Sequence, residues 1–170
     1  ADYIRPIGDN QIFEVGGKGI FRRVNSDYSY EFATLEGIFT PDFTRPAGTL
    51  DYDQNISAAY TTYTYSTPSK VTFKAGVRWE RTFIDAIQDE VNIDIPDYSN
   101  VVPSLNVSKT FKDFTTVKLG YNRRIQRPWL RQLNPNVNVQ NSQDIQVGNP
   151  NLRPEIADNI ELGISKMIKK

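Results

Sequence analysis

The stretch "KVTFKAGVRWERTFI", residues 70–84, decides the fold. Val71, Phe73, Ala75, Val77, Trp79 and Phe83 fall on one side of a period-two ladder, with Lys70, Thr72, Lys74, Gly76, Arg78, Glu80 and Thr82 on the other. That period marks a β-strand, whose successive side chains leave opposite faces of the backbone. Only Arg81 breaks the apolar file.

The same pattern recurs along the chain. "FTTVKLGYNRRIQ" from Phe114 sets Val117, Leu119, Tyr121 and Ile125 against Lys118, Gly120, Asn122, Arg124 and Gln126, with Arg123 as a late intruder. "QIFEVGGKGIFRRV" from Gln11 sets Phe13, Val15 and Phe21 against Glu14, Lys18 and Arg22. "SLNVSKTF" offers Leu105, Val107 and Phe111, and "IELGISK" offers Ile160, Leu162 and Ile164. "NISAAYTTYTY" is strand-like through its Tyr and Thr content, although its faces are less distinct. Six strands are predicted, at 11–24, 55–65, 70–84, 101–111, 114–127 and 156–168. Several exceed the ~5–6 residues usual in soluble proteins.

The connections are unequal. "STPS" after Tyr65 and "FKD" after Thr110 are tight hairpins, whereas residues 25–54, 85–100 and 128–155 are long. Long and short connections alternate, as in an all-β antiparallel up-and-down meander with its long loops at one end. Transmembrane β-barrels show this asymmetry, but a soluble sheet also alternates, with its apolar face turned inward. Strand pattern alone leaves both open.

Composition narrows the chemistry. The 170 residues carry 20 basic and 20 acidic side chains, so there is no overall electrostatic pull toward nucleic acid. With neither Cys nor His, thiolate and imidazole metal sites and Ser-His or Cys-His hydrolases are excluded. No apolar run approaches the ~20 residues of a membrane helix. No stretch predicts the paired carboxylates of a glycosidase, and neither an enzyme nor a cofactor is expected. "GGKG" at 16–19 lacks the Ser or Thr of a phosphate loop. "DYDQN" at 51–55 begins like a calcium loop but has Ile56 in place of the required glycine. The carboxylates Asp85, Asp89, Glu90, Asp94 and Asp97 read as a solvated loop.

Residues 127–155, "RPWLRQLNPNVNVQNSQDIQVGNPNLRPE", are too polar and too rich in Asn and Pro for a core. Pro150 and Pro154 make "NPNLRPE" a rigid turn that starts the next strand. Arg127, Arg131 and Arg153 are placed to tie the loop through Glu155 or Asp144, or to grip an anionic ligand. Trp129, beside Pro128, is either a stacking platform for a ligand or an interfacial anchor. In a barrel, Lys74, Arg78, Glu80, Lys118 and Arg124 would face the lumen, mostly as a polar wall.

Three stretches carry a family resemblance. "VGNPNLRPEIADNIELGIS" at 147–165, "YNRRIQRPWLRQLNP" at 121–135 and "AGVRWERT" at 75–82 occur in the order and spacing of the late barrel strands of TonB-dependent outer-membrane receptors of the Bacteroidetes type. The matched motif residues are Arg127, Pro128, Asn149, Pro150, Asn151, Leu152, Arg153, Pro154 and Glu155. The resemblance implies part of a 22-stranded transmembrane barrel in the outer membrane of a Gram-negative cell. It also implies a plug domain and TonB-binding segment outside these residues, and a fragment of a longer receptor. The implied function is TonB-energised uptake of a scarce ligand, an iron chelate or oligosaccharide. The implied partners are outer-membrane lipid, TonB and that ligand. A surface or soluble sheet that binds a partner without transport is the alternative.

Overall fold

The computed structural model describes residues 1–44, 47–135, 137–141 and 143–167. The elements run β1 (Asp2–Ile7), β2 (Gln11–Tyr28), β3 (Glu31–Ala33), β4 (Phe39–Pro41), β5 (Gly48–Ser66), β6 (Val71–Gln88), β7 (Val91–Ile93), β8 (Tyr98–Thr110), β9 (Thr115–Gln126), α1 (Leu130–Leu133), β10 (Asn138–Asn141), β11 (Asp144–Gln146) and β12 (Glu155–Lys166). One antiparallel sheet follows the order β1-β2-β5-β6-β8-β9-β12, with β7 added to the end of β6. The hairpins β3–β4 and β10–β11 stand apart within long connections.

Sequence alternation and structure differ mainly in extent. The alternation stops at 24 and begins again at 55, yet β2 runs to Tyr28 and β5 starts at Gly48, paired with each other throughout. β6 likewise extends to Gln88, and β1 lies in the opening stretch, where no strand is predicted. The predicted end of the last strand, at 168, lies outside the described residues; β12 ends at Lys166.

The short turns β1–β2, β5–β6 and β8–β9 lie at one end of the sheet. The β5–β6 and β8–β9 turns share one design, a three-residue loop closed by a residue in the left-handed region, Lys70 (φ 60°) and Phe114 (φ 60°). Gly8 (φ 65°) serves the β1–β2 turn, where only glycine adopts that angle without penalty. The three long connections all leave from the opposite end.

Register fixes two faces. The odd-numbered residues of β2, β5, β6, β8 and β9 share one face with the even-numbered residues of β12. This face carries Phe13, Val15, Tyr63, Phe73, Val77, Trp79, Leu105, Leu119, Leu162 and Ile164, and it is bare: Leu119 is 50% exposed and Leu162 68%. The opposite face carries Lys18, Lys74, Arg78, Lys118 and Arg124 and is covered in its upper part, where Tyr52, Gln54, Glu80, Thr82 and Ile84 are buried. A water-soluble sheet has the reverse arrangement, its apolar face packed and its polar face wet. The inversion suits a sheet that turns its apolar side to lipid.

The apolar band has a charged upper edge. Phe21 precedes Arg23, Trp79 precedes Arg81 and Tyr121 precedes Arg123, each two residues along on the bare face, in β2, β6 and β9. The arginines that interrupt the alternation are therefore the boundary itself. Arg23 is held bidentately by Asp53 at 2.7 and 3.0 Å, and Arg123 by Asp158 at 2.8 and 3.0 Å; Arg81 lies over the Phe83 ring at 4.4 Å. Asp53 opposes Asp85, four residues beyond Arg81, and Arg123 lies at the level of Pro103 and Val77, four residues short of it. At ~3.3 Å rise and ~4.8 Å strand spacing, this descent corresponds to an edge inclined by about 55° to the strand normal, the steep strand tilt of a barrel wall. Nine residues, as from Val71 to Trp79, then rise ~17 Å, within the ~25 Å apolar band of a membrane barrel.

Candidate functional site

The polar face gathers the residues that carry chemistry. Lys74, Arg78, Glu80, Lys118 and Arg124 all project from it, as their register requires. Lys74 Nζ pairs with Glu14 Oε2 at 3.1 Å, across β5. Glu80, only 7% exposed, is gripped from two sides: Arg78 Nε lies 2.6 Å from one carboxylate oxygen, and the Arg127 guanidinium pairs with the other. Arg127 Nε also donates to Thr82 Oγ1 at 3.4 Å, and Thr82 is fully buried. A carboxylate this enclosed needs such partners, because an unpaired buried charge is costly.

Arg127 begins the long β9–β12 connection, so this clamp fixes where the loop starts. The loop turns inward over the polar face rather than outward into solvent. Leu133 of α1 is 1% exposed and packs with Leu50, Tyr52, Ile84, Ala86 and Ile95, while Leu130 and Tyr98 lean on the same cluster. Gly148 N–H donates to the Asn134 carbonyl at 2.9 Å, and Asn149 N–H to the Gln132 carbonyl at 2.6 Å. A Cβ on Gly148 would lie 2.4 Å from the Asn134 oxygen, so only glycine permits that approach. Asn149 then opens a turn whose second residue is Pro150: Leu152 N–H donates to the Asn149 carbonyl at 3.2 Å, and Asn151 N–H to the Asn149 side chain at 3.0 Å. Pro154 ends the turn, and Glu155 is the first paired residue of β12, opposite Gln126.

The arginine ties expected from sequence fall elsewhere. Arg127 pairs with Glu80, 47 positions back, and not with Glu155 or Asp144. Arg131 donates to the Gln146 side chain, and Gln146 in turn donates to Asp144 Oδ2 at 2.9 Å, so the tie to Asp144 runs through an amide. Arg153 is exposed and in no ion pair among the described residues. Trp129 is 74% exposed at the start of α1. Asp51 and Asp53, the start of the supposed calcium loop, are strand residues of β5 committed to Asn25 and Arg23. Asp85 belongs to β6 rather than to the acidic loop.

Two cavities border this loop. One, of about 790 Å³, lies between the top of β2 and the β9–β12 connection, with Tyr28, Tyr30, Arg131, Gln132 and Gln146 in its wall. The other, of about 630 Å³, lies lower on the polar face, where Lys18, Arg78, Arg124 and Arg127 surround Glu80. Lys18 carried no special signal in the sequence. Its place in this wall follows from the pairing of β2 with β5 and of β5 with β6, which sets Lys18, Ala58 and Glu80 in one row.

No curated protein and no solved structure matches the chain significantly. The family model described as "Outer membrane protein beta-barrel family" matches residues 1–170, the whole chain. An antiparallel meander with a bare apolar face, a charged upper edge and its three long connections at one end thus belongs to the outer membrane protein beta-barrel family, and its place is the outer membrane.

Proposed function

We propose that this chain forms part of the wall and the ligand-capturing loops of a TonB-dependent receptor, with a barrel of the 22-strand class. The observation that carries this reading is the inward β9–β12 loop. It is seated on the wall by Leu133 and anchored by Arg127 on Glu80, so it narrows the lumen mouth instead of leaving an open pore. The motif Asn149-Pro150-Asn151-Leu152-Arg153-Pro154-Glu155, which resembles that family's loop, forms the return to the wall. In this reading the bare face meets lipid, the loops capture a scarce ligand, and energy relayed through TonB drives its passage. The chain contributes wall and loops and no catalysis.

Uptake provides the test. The full-length protein, expressed in an outer membrane, is expected to migrate faster unboiled than boiled, the signature of a closed barrel. Cells carrying it should take up iron chelates or oligosaccharides only while the inner membrane is energised. Uptake indifferent to a protonophore would remove the TonB-dependent reading and leave a passive pore or a binding barrel.

A further inference from the structure

The cavity around Glu80 has an origin in the sheet. The β8–β9 ladder ends at Ser104–Asn122, immediately after Pro103, which has no N–H to donate. Beyond that point β9 continues to Gln126 paired with β12, and β8 continues back toward Tyr98 paired with β6. The two strands part, and the 630 Å³ cavity borders the gap, with Val102, Pro103, Ser104 and Asn122–Arg124 in its wall. The parted strands also leave polar atoms unsatisfied: among the described residues, Asn122 Oδ1 and Asn100 Nδ2 are buried without hydrogen-bond partners. Asn100 sits opposite Glu80 in the register but outside the cavity wall, whereas Asn122 lines it. Buried amides are normally paired, so the Asn122 orphan points to something that fills the cavity.

The charges say what would fill it. Glu80 is the one carboxylate in the wall, against Lys18, Arg78, Arg123, Arg124 and Arg127; Arg123 is held by Asp158, which leaves four cations around Glu80. Arg78 and Arg127 share Glu80 between them, while Lys18 and Arg124 make no ion pair among the described residues. Neutral overall composition conceals this local excess. Four cations against one shared anion, in a partly enclosed space, attract negative charge more strongly than the same groups in open water.

We propose that this gap in the wall is a binding site for an acidic ligand, one presenting carboxylate or similarly charged oxygens to Lys18, Arg124 and the free N–H groups of Arg78 and Arg127. Asn122 Oδ1, an acceptor, takes a hydrogen bond from a hydroxyl of the same ligand. The proposal deepens the receptor reading by naming the ligand's chemical class, and it selects an anionic chelate over a neutral oligosaccharide. Glu80 preorganises the site: it holds two arginines in place without neutralising both.

The test uses the full-length protein folded in detergent, citrate as the anionic probe and maltotriose as the neutral one, with calorimetry as readout. Citrate is expected to bind with an affinity that falls as salt rises, and maltotriose to show none. Lys18→Gln and Arg124→Gln should each weaken citrate by about tenfold. Lys112→Gln, in a short turn at the far end of the sheet, should leave binding unchanged. Citrate binding equal in the Lys18→Gln/Arg124→Gln double variant, tighter binding of maltotriose, or no citrate binding to a heat-modifiable barrel would each overturn the site. Because binding in detergent needs no TonB, a barrel that binds citrate but whose uptake ignores a protonophore keeps the site and loses only the transport reading.

Discussion

Glu90 holds a left-handed backbone (φ 67°) directly after Asp89 (φ 47°), and together they make the two-residue turn from Gln88 to Val91. Such turns favour Asn and Gly because other side chains crowd the following carbonyl, at about 1–2 kcal/mol per residue. Asp89 has compensation: its carboxylate accepts the Thr49 N–H at 2.7 Å and stitches the turn to β5. Glu90 is exposed and has none. Glu90→Gly should therefore stabilise the β6–β7 hairpin by about 1 kcal/mol, slowing amide exchange at Val91 and Ile93 about fivefold, whereas Asp89→Gly should speed it. Faster exchange in both variants would show that strain does not govern this turn. Asp-Glu is not a turn signal, so the sequence leaves both residues in an undivided acidic loop. Arg81 and Arg123 were visible as interruptions, but their meaning was not: only the register shows that they mark one inclined edge.

At the scale of elements, alternation reveals a strand only where one face stays apolar. Within the membrane band that holds, and the lumen-facing assignment of Lys74, Arg78, Glu80, Lys118 and Arg124 follows from parity alone. Above the band the alternation reverses: Asn25, Asp51 and Asp53 lie on the bare face, and Val24, Leu50 and Tyr52 lie on the other, packed under Leu133. The apolar file changes sides while the backbone ladder continues, so the upper halves of β2 and β5 escape a pattern reading. β1 escapes for a related reason, since Pro6 and Arg5 dilute six residues that pair fully with β2. The long loop is opaque for a different cause: its order comes from contacts distant in sequence, Arg127 on Glu80 and Leu133 on Leu50 and Ile84. Leu133→Ala removes the deepest of these, and burial of this kind is worth about 2–5 kcal/mol in a well-packed core. Limited trypsin should then cut after Arg131 at least roughly tenfold faster, with heat-modifiable migration unchanged, because the loop opens while the barrel stands. A cleavage rate equal to that of the unsubstituted protein would mean that α1 is not held by this packing.

At the scale of the molecule, equal numbers of acids and bases are sorted by face and height. Cations collect on the polar face, paired charges mark the upper edge of the apolar band, and the band's interior is left uncharged. Leu119 tests that ordering because it sits mid-band on a strand paired on both sides, directly between Val107 of β8 and Leu162 of β12. Its neighbour Lys118 points to the other face, between Ser108 and Gly163. In lipid, Leu119→Arg places a guanidinium at the level of the hydrocarbon and should cost about 2–4 kcal/mol. Lys118→Gln keeps a polar group on the polar face and should cost under ~0.5 kcal/mol. Urea titration of the protein folded in phospholipid vesicles reads both. In a water-soluble sheet the exposed Leu119 would accept arginine without loss, so a neutral Leu119→Arg beside a costly Lys118→Gln would reverse the assignment of faces. The expected order ties the fold to the environment: side-chain parity along β9 decides which residues tolerate charge, and the bilayer supplies the reason.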